Sequence, residues 1–377
     1  MRGGFQFVAA VVSLCFPQAA PAEPAGASRV LGSGSCATSG CHGGAGPNRG
    51  AYHIWKRADP HFKASATLTN GQSKAMARKL EIASAAESAS CTACHAPMRN
   101  VEPALLAPSG KDQAQEDFSC ANCHGGAEDW ILSHTRPEYP REALVKLGMR
   151  PLESAYQRAN SCVACHQNLS DDLVKANHPP LIFELDGLLV EQPKHWREDK
   201  DFSHAKTWLV GQAVALRETA AQAAREPGDR RNAEIEAIKE LLSASATGWD
   251  GGAGADLVRA ADDFARRISD APMTSAQARS ALDRLMGNRK PFEIGAFGTV
   301  ADEYRMWAVG YYAERVALAI DRLNQSLVLS GRKAVVDEEA LDGLFKAAKP
   351  PKSFDADVAE NFVRKLDGLA KSNPGAE

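Results

Sequence analysis

Eight cysteines between residues 36 and 165 fall into four pairs, and a histidine directly follows the second cysteine of each pair. Three pairs share one spacing: Cys91-Thr-Ala-Cys94-His95, Cys120-Ala-Asn-Cys123-His124 and Cys162-Val-Ala-Cys165-His166. The fourth, Cys36-Ala-Thr-Ser-Gly-Cys41-His42, carries two additional residues. Cys-x-x-Cys-His is the attachment signature of c-type haem. Its spacing has a mechanical basis: two thiols must reach two vinyl groups on one edge of a porphyrin, and the adjacent imidazole must fold back to meet the iron. An insert of two residues can bulge outward without displacing either thiol. Four covalently attached haem c groups are expected, with His42, His95, His124 and His166 as their proximal ligands. Other chemistries account for less. Disulfide frameworks do not place a histidine after every second cysteine. Zinc would combine the pairs into Cys₄ or Cys₂His₂ sets and leave four histidines without a reason. Thioredoxin-like dithiols need a βαβ setting that this sequence lacks.

The second axial ligand decides whether a haem carries electrons or binds a substrate. Six histidines lie outside the motifs: His53, His61, His134, His178, His195 and His204. His61 follows Asp59-Pro60, an N-cap and N1 proline predicting a helix through Leu68, so its ring projects from a fixed first turn. His134 lies ten residues beyond the third motif, with Trp130 between. His178 precedes Pro179-Pro180, and His195 stands between Lys194 and Trp196 after Pro193. These four are favoured as distal ligands over His53 and His204. Met98, three residues beyond His95, is too close to cross to the opposite face of the same haem.

Around these residues the chain resembles the multihaem cytochromes c of the cytochrome c-552/554 family, whose tetrahaem member works beside hydroxylamine oxidoreductase. The resemblance rests on Ser35-Cys36 through His42, Tyr52-His-Ile-Trp55 leading to Asp59-Pro60-His61, and Cys120 through His124 followed by Gly125-Gly126 and His134. It continues in His178-Pro179 with Phe183-Glu184-Leu185 and in Pro193-Lys194-His195-Trp196, and covers about residues 35 to 197. It implies His61, His134, His178 and His195 as the distal set, without assigning each to a haem. Some longer relatives carry a further motif downstream; here Trp249 is followed by Asp250-Gly251-Gly252 and no cysteine. The expected function is electron transfer through bis-His haems to or from redox proteins, with a quinol dehydrogenase or a terminal reductase as candidate partners. The alternative is a multihaem oxidoreductase with one open-site haem, acting on a small nitrogen compound in hydroxylamine- or nitrite-type chemistry. The surplus of histidines favours the carrier.

The elements that must position these residues differ between the two halves. Residues 29 to 200 hold 19 basic and 19 acidic residues and few long apolar stripes. Short helices and loops around four stacked haems are expected there, with the porphyrins as core, because burial of such apolar plates stabilises by roughly 25 cal/mol per Å². Residues 201 to 377 have no cysteine and read as an all-α bundle. Met306, Val309, Ala313, Val316, Ile320, Leu323 and Leu327 recur by threes and fours, and shorter stripes repeat the pattern after Pro227-Gly228 and Gly251-Gly252. The stripes predict intramolecular core, and the longest one also suits contact with another subunit.

Arg2, the apolar run from Phe5 to Phe16 and Ala20-Pro21-Ala22 read as a signal peptide over residues 1 to 22, cleaved near Ala22. Its removal takes away the ninth cysteine, Cys15. The mature chain is expected in the periplasm with no transmembrane span, since about 20 consecutive apolar residues are needed to cross a bilayer. With 44 basic against 47 acidic residues, a formal charge of −3 and no basic cluster of nucleic-acid density, a nucleic-acid partner is not expected.

Overall fold

The computed structural model describes residues 28–46, 49–107, 116–198, 200, 202–252 and 254–371. The expected signal peptide and Cys15 lie outside the described residues. The architecture is mainly α, as the patterning predicts, and among the described residues the only strand-like pairing is an isolated bridge between Val30 and Leu106. The first eight helices are short: α1 (Ala51–Ala58), α2 (Gly71–Lys79), α3 (Ala89–His95), α4 (Ala121–His124), α5 (Arg141–Lys146), α6 (Ala155–His166), α7 (Asp171–Lys175) and α8 (Leu185–Glu191). A 3₁₀ segment, Pro60–Thr69, joins α1 to α2. The later helices are longer: α9 (His204–Arg225), α10 (Asp229–Ser245), α11 (Ala255–Asp270), α12 (Ser275–Gly287), α13 (Asp302–Leu329), α14 (Glu338–Ala347) and α15 (Ala356–Lys371). No described helix is long and apolar enough to cross a membrane.

Local chemistry sets the helix starts. Ser154 and Gln157 form a reciprocal capping box that opens α6, and Ser170 and Ser203 cap α7 and α9. Each cap satisfies backbone N–H groups that the first turn leaves without partners. Asp59 accepts from the His61 N–H and, with Pro60 at the first position, opens the 3₁₀ segment where the sequence predicts a helix. The segment keeps the predicted start but winds more tightly.

The bundle packs around α9 and α13, whose inward faces bury Trp208, Leu216, Tyr312, Val316 and Ile320. This core does not stop at Lys200. Val163 of α6, Phe183, and Leu185 and Leu189 of α8 belong to the same buried cluster. The fit of α8 on α9 is close: a Cβ on Gly211 would stand 2.8 Å from Cβ of Leu185. A buried polar chain also crosses the boundary. Gln167 donates to Thr219 Oγ1 and to Glu234 Oε1, while its own oxygen accepts from the Phe183 N–H. Glu234 in turn takes the Arg315 guanidinium at 2.7 Å, and Arg315 also donates to Gln212. Among the described residues up to 150, by contrast, the apolar clusters are two small ones, around Trp130 and around Leu68.

Candidate haem sites

Three cysteine motifs sit at the C-terminal ends of helices α3, α4 and α6, which terminate at His95, His124 and His166. Residues three and four apart on a helix share a face. The extended motif reaches the same closure by another path. In α4 the His124 N–H donates to the carbonyl of Cys120 at 2.9 Å, and the His42 N–H likewise donates to the carbonyl of Cys36 at 3.0 Å. The insert between them is carried in a turn closed by Cys41 N–H on Thr38, with Thr38, Ser39 and Gly40 exposed.

Each motif histidine faces one histidine from elsewhere in the chain. Ring centroids are 6.2 Å apart for His42 and His134, 6.3 Å for His95 and His178, 6.4 Å for His124 and His195, and 5.9 Å for His166 and His61. An imidazole nitrogen sits about 2 Å from a transition metal, and half a ring adds about 1 Å. Two imidazoles on opposite faces of one iron therefore stand on the order of 6 Å apart. The two remaining histidines are elsewhere. His53 has its Nε2 on the carbonyl of Gly43 at the surface, and His204 holds buried Asp186 at 2.9 Å from the first turn of α9.

Residues 35–125 match the family model described as cytochrome c554 and c-prime. The match covers about a quarter of the chain and supports a cytochrome c family for that segment. The match takes in the motifs ending at His42, His95 and His124, and the fourth motif lies beyond it. Searches of the curated proteins and of the solved structures found no match. A cytochrome c family implies covalently bound haem c and supports a role in electron transfer.

The residues present fit that group. Buried polar atoms are nearly always partnered, yet His134 Nδ1 is buried without a hydrogen bond, as a nitrogen awaiting a metal would be. On the other three facing histidines Nδ1 is occupied and Nε2 is left free. His61 Nδ1 bonds Asp59 at 2.8 Å, His178 Nδ1 bonds the Pro179 carbonyl at 2.8 Å, and His195 Nδ1 lies 3.4 Å from that of Pro193. Such contacts fix tautomer and ring orientation. Burial, reinforced by the neighbouring imidazoles, pushes His124 and His166 down to about 4, and burial likewise lowers His42 and His95. All four are therefore neutral at pH 7, the form that binds metal. Burial raises the Cys123 thiol to about 11 and that of Cys162 to about 12.

The four sites, numbered by motif order, do not follow one another in space. The Cys36 thiol of the first is lowered by the Cys120 thiol of the third, and His42 is lowered in part by His195. Cys123 of the third interacts with Cys165 of the fourth. The Cys94 thiol of the second is raised by Cys165, and His166 is lowered in part by His95. These neighbour effects link the first site to the third, the third to the fourth and the fourth to the second.

Sequence reasoning identifies Asp59 only as a cap. It is also the carboxylate that orients His61, held in turn by Gln192 at 3.0 Å. The Asp-Pro-His run carried that signal, because a cap side chain already points back at the second residue after it. Gln167 had no such signal, since its partners lie 52 and 67 residues away. Met98 is buried and accepts from the Ser119 hydroxyl, which occupies its sulfur.

Proposed function

We propose that this cytochrome is a periplasmic tetrahaem electron carrier in which every iron is held between two histidines. The observation that carries the reading is the set of four imidazole pairs at 5.9–6.4 Å. Cys36 and Cys41 with His42 and His134 form the first site, and Cys91 and Cys94 with His95 and His178 the second. Cys120 and Cys123 with His124 and His195 form the third, and Cys162 and Cys165 with His166 and His61 the fourth. Haem, once attached, supplies an iron that changes oxidation state by one electron; a second histidine in place of methionine lowers its potential.

The protein's own work is orientation and exclusion. Asp59 and the proline carbonyls hold the distal rings so that one nitrogen of each faces its partner across the site. With one imidazole held on each side of it, a bound haem would leave a small molecule no place to bind, which favours carriage over conversion. The order first, third, fourth, second gives adjacent sites along one row, and charge entering at one end can leave at the other. Redox proteins in the periplasm are the partners this reading calls for.

Low-temperature electron paramagnetic resonance of the oxidised holoprotein tests it. Only low-spin ferric signals, together with a ferrous form that ignores carbon monoxide, are expected. A high-spin ferric signal accounting for one haem in four would overturn the fully bis-His assignment.

A further inference from the structure

Positive charge is concentrated in the stretch from α1 through α2, whose last part adjoins the second site. Residues 49 to 100 hold eight basic residues against three acids, whereas residues 101 to 200 hold ten against sixteen. Lys56 and Arg57 on α1, Lys63 on the 3₁₀ segment, and Lys74, Arg78 and Lys79 on α2 are all exposed. None of the six forms an ion pair with a carboxylate among the described residues. The arginines of the bundle behave differently: Arg217, Arg230, Arg231, Arg315 and Arg322 each hold a carboxylate. Of the three acids in the basic stretch, Asp59 is buried and committed to His61, leaving only Glu81 and Glu87 at the surface.

Two of these cations border a concave feature. A cleft of about 310 Å³ lies between the 3₁₀ segment and α2, with Lys74 and Arg78 on its wall and Leu68, Ala77, Ile82 and Ala85 supplying apolar surface. Leu68 and Ala85 form one small cluster with Ala96, and Cys91 packs against it. The cleft is therefore separated from the first cysteine of the second motif by a single layer of side chains, and His95 is tied to the same wall through Thr67 Oγ1 at 3.1 Å. The second site is also one end of the spatial row.

We propose that this cleft is the docking surface for an acidic redox protein, whose electron exchange with the chain takes place at the second site. The partner's reduced centre loses one electron and the second site gains it, with no proton or atom transferred. The inference rests on haem being carried by Cys91 and Cys94. Unpaired cations around a concave, partly apolar surface suit a protein knob with a carboxylate rim, and such complementarity acts mainly on the association rate. A flat anionic lipid surface would use the charge but not the cleft.

The test uses the full-length holoprotein and a reduced plant-type [2Fe–2S] ferredoxin as acidic donor, with stopped-flow detection of haem reduction. The wild-type rate constant should fall steeply as salt rises. K74E/R78E should lower it about tenfold at low salt, while K349E/K352E, the same change in net charge on the bundle, should leave it within a factor of about two. Haem content and the oxidised spectrum of each variant are measured first, so that loss of the second haem is distinguished from loss of docking. Equal rates for wild type and K74E/R78E at low salt would overturn the proposal. So would an equal fall in both variants, or co-sedimentation of the wild type with phosphatidylglycerol vesicles alongside a salt-independent ferredoxin rate.

Discussion

A chain ending at Lys200 retains every cysteine motif and all eight paired histidines, yet we predict that it does not retain the native sites. Removing residues 201–377 uncovers Val163, Phe183, Leu185 and Leu189, which are at most 5% exposed in the intact chain. Full exposure of such side chains costs about 1.5–3 kcal/mol each, so the four together forfeit up to about 6–12 kcal/mol. That is comparable with the whole stability of a typical domain, about 5–15 kcal/mol. The truncation also strips Gln167, the residue after His166, of Thr219 and Glu234, and takes Arg322 and His204 away from Glu184 and Asp186. The assay is co-expression with a cytochrome c maturation system, followed by haem staining, limited proteolysis and a carbon monoxide difference spectrum of the ferrous protein. Haem should still attach, because attachment needs only the motifs, but the product should be protease-sensitive and bind carbon monoxide at the fourth site. A soluble, protease-resistant product with the spectrum of the full-length protein and no carbon monoxide binding would refute the reasoning that the two halves share one core.

Further outcomes follow from single groups. Mass spectrometry of the mature holoprotein should show four haems and no alkylatable thiol; three haems with Cys36 and Cys41 reactive would exclude the extended motif. Replacing His61, His134, His178 or His195 by alanine should turn one haem in four high-spin and open it to carbon monoxide, while His53→Ala and His204→Ala should not. Asp59→Asn removes the carboxylate from His61, and a loss of 10–100-fold in ligand strength corresponds to a rise of about 60–120 mV in one of four potentials, read by spectroelectrochemical titration. Glu314 is held up to about 7 by burial, with Oε2 unpartnered. A carboxyl raised in the folded state costs stability as pH rises from its unfolded value near 4.3 through 7. Glu314→Gln should therefore raise the melting temperature at pH 8, by up to about 3 kcal/mol in stability, and leave it unchanged near pH 4; equal effects at both would refute the assignment.

The helical class was readable because the stripe from Met306 to Leu327 repeats with the helical period and its residues lie on the inward face of α13. The motifs were readable because covalent attachment fixes a short spacing along the chain. Pairing was not, because His42 and His134 are 92 residues apart and nothing local records which distant imidazole a motif will face. The Asp59 contact lay between these cases: the cap was legible, the ring it orients was not. The shared core was hidden for a different reason. The segment from Leu181 to Val190 is interrupted by Glu184 and Asp186, residue types that are mostly exposed in proteins, yet both are buried beneath Arg322 and His204. Charge compensation from over 130 residues away cannot be seen in a local pattern.

The spatial order of the sites bears on how such a molecule is assembled. The motifs reach the maturation machinery in chain order, so in the proposed row the two that arrive first are its two ends. A chain stalled after two attachments would hold a pair of isolated carriers with a gap between them. The third attachment extends one end without bridging that gap; only the fourth, flanked by both the third and the second, makes the row continuous. Continuity thus arises in a single late event, at the site whose proximal histidine is followed directly by Gln167, the residue anchored in the helical bundle.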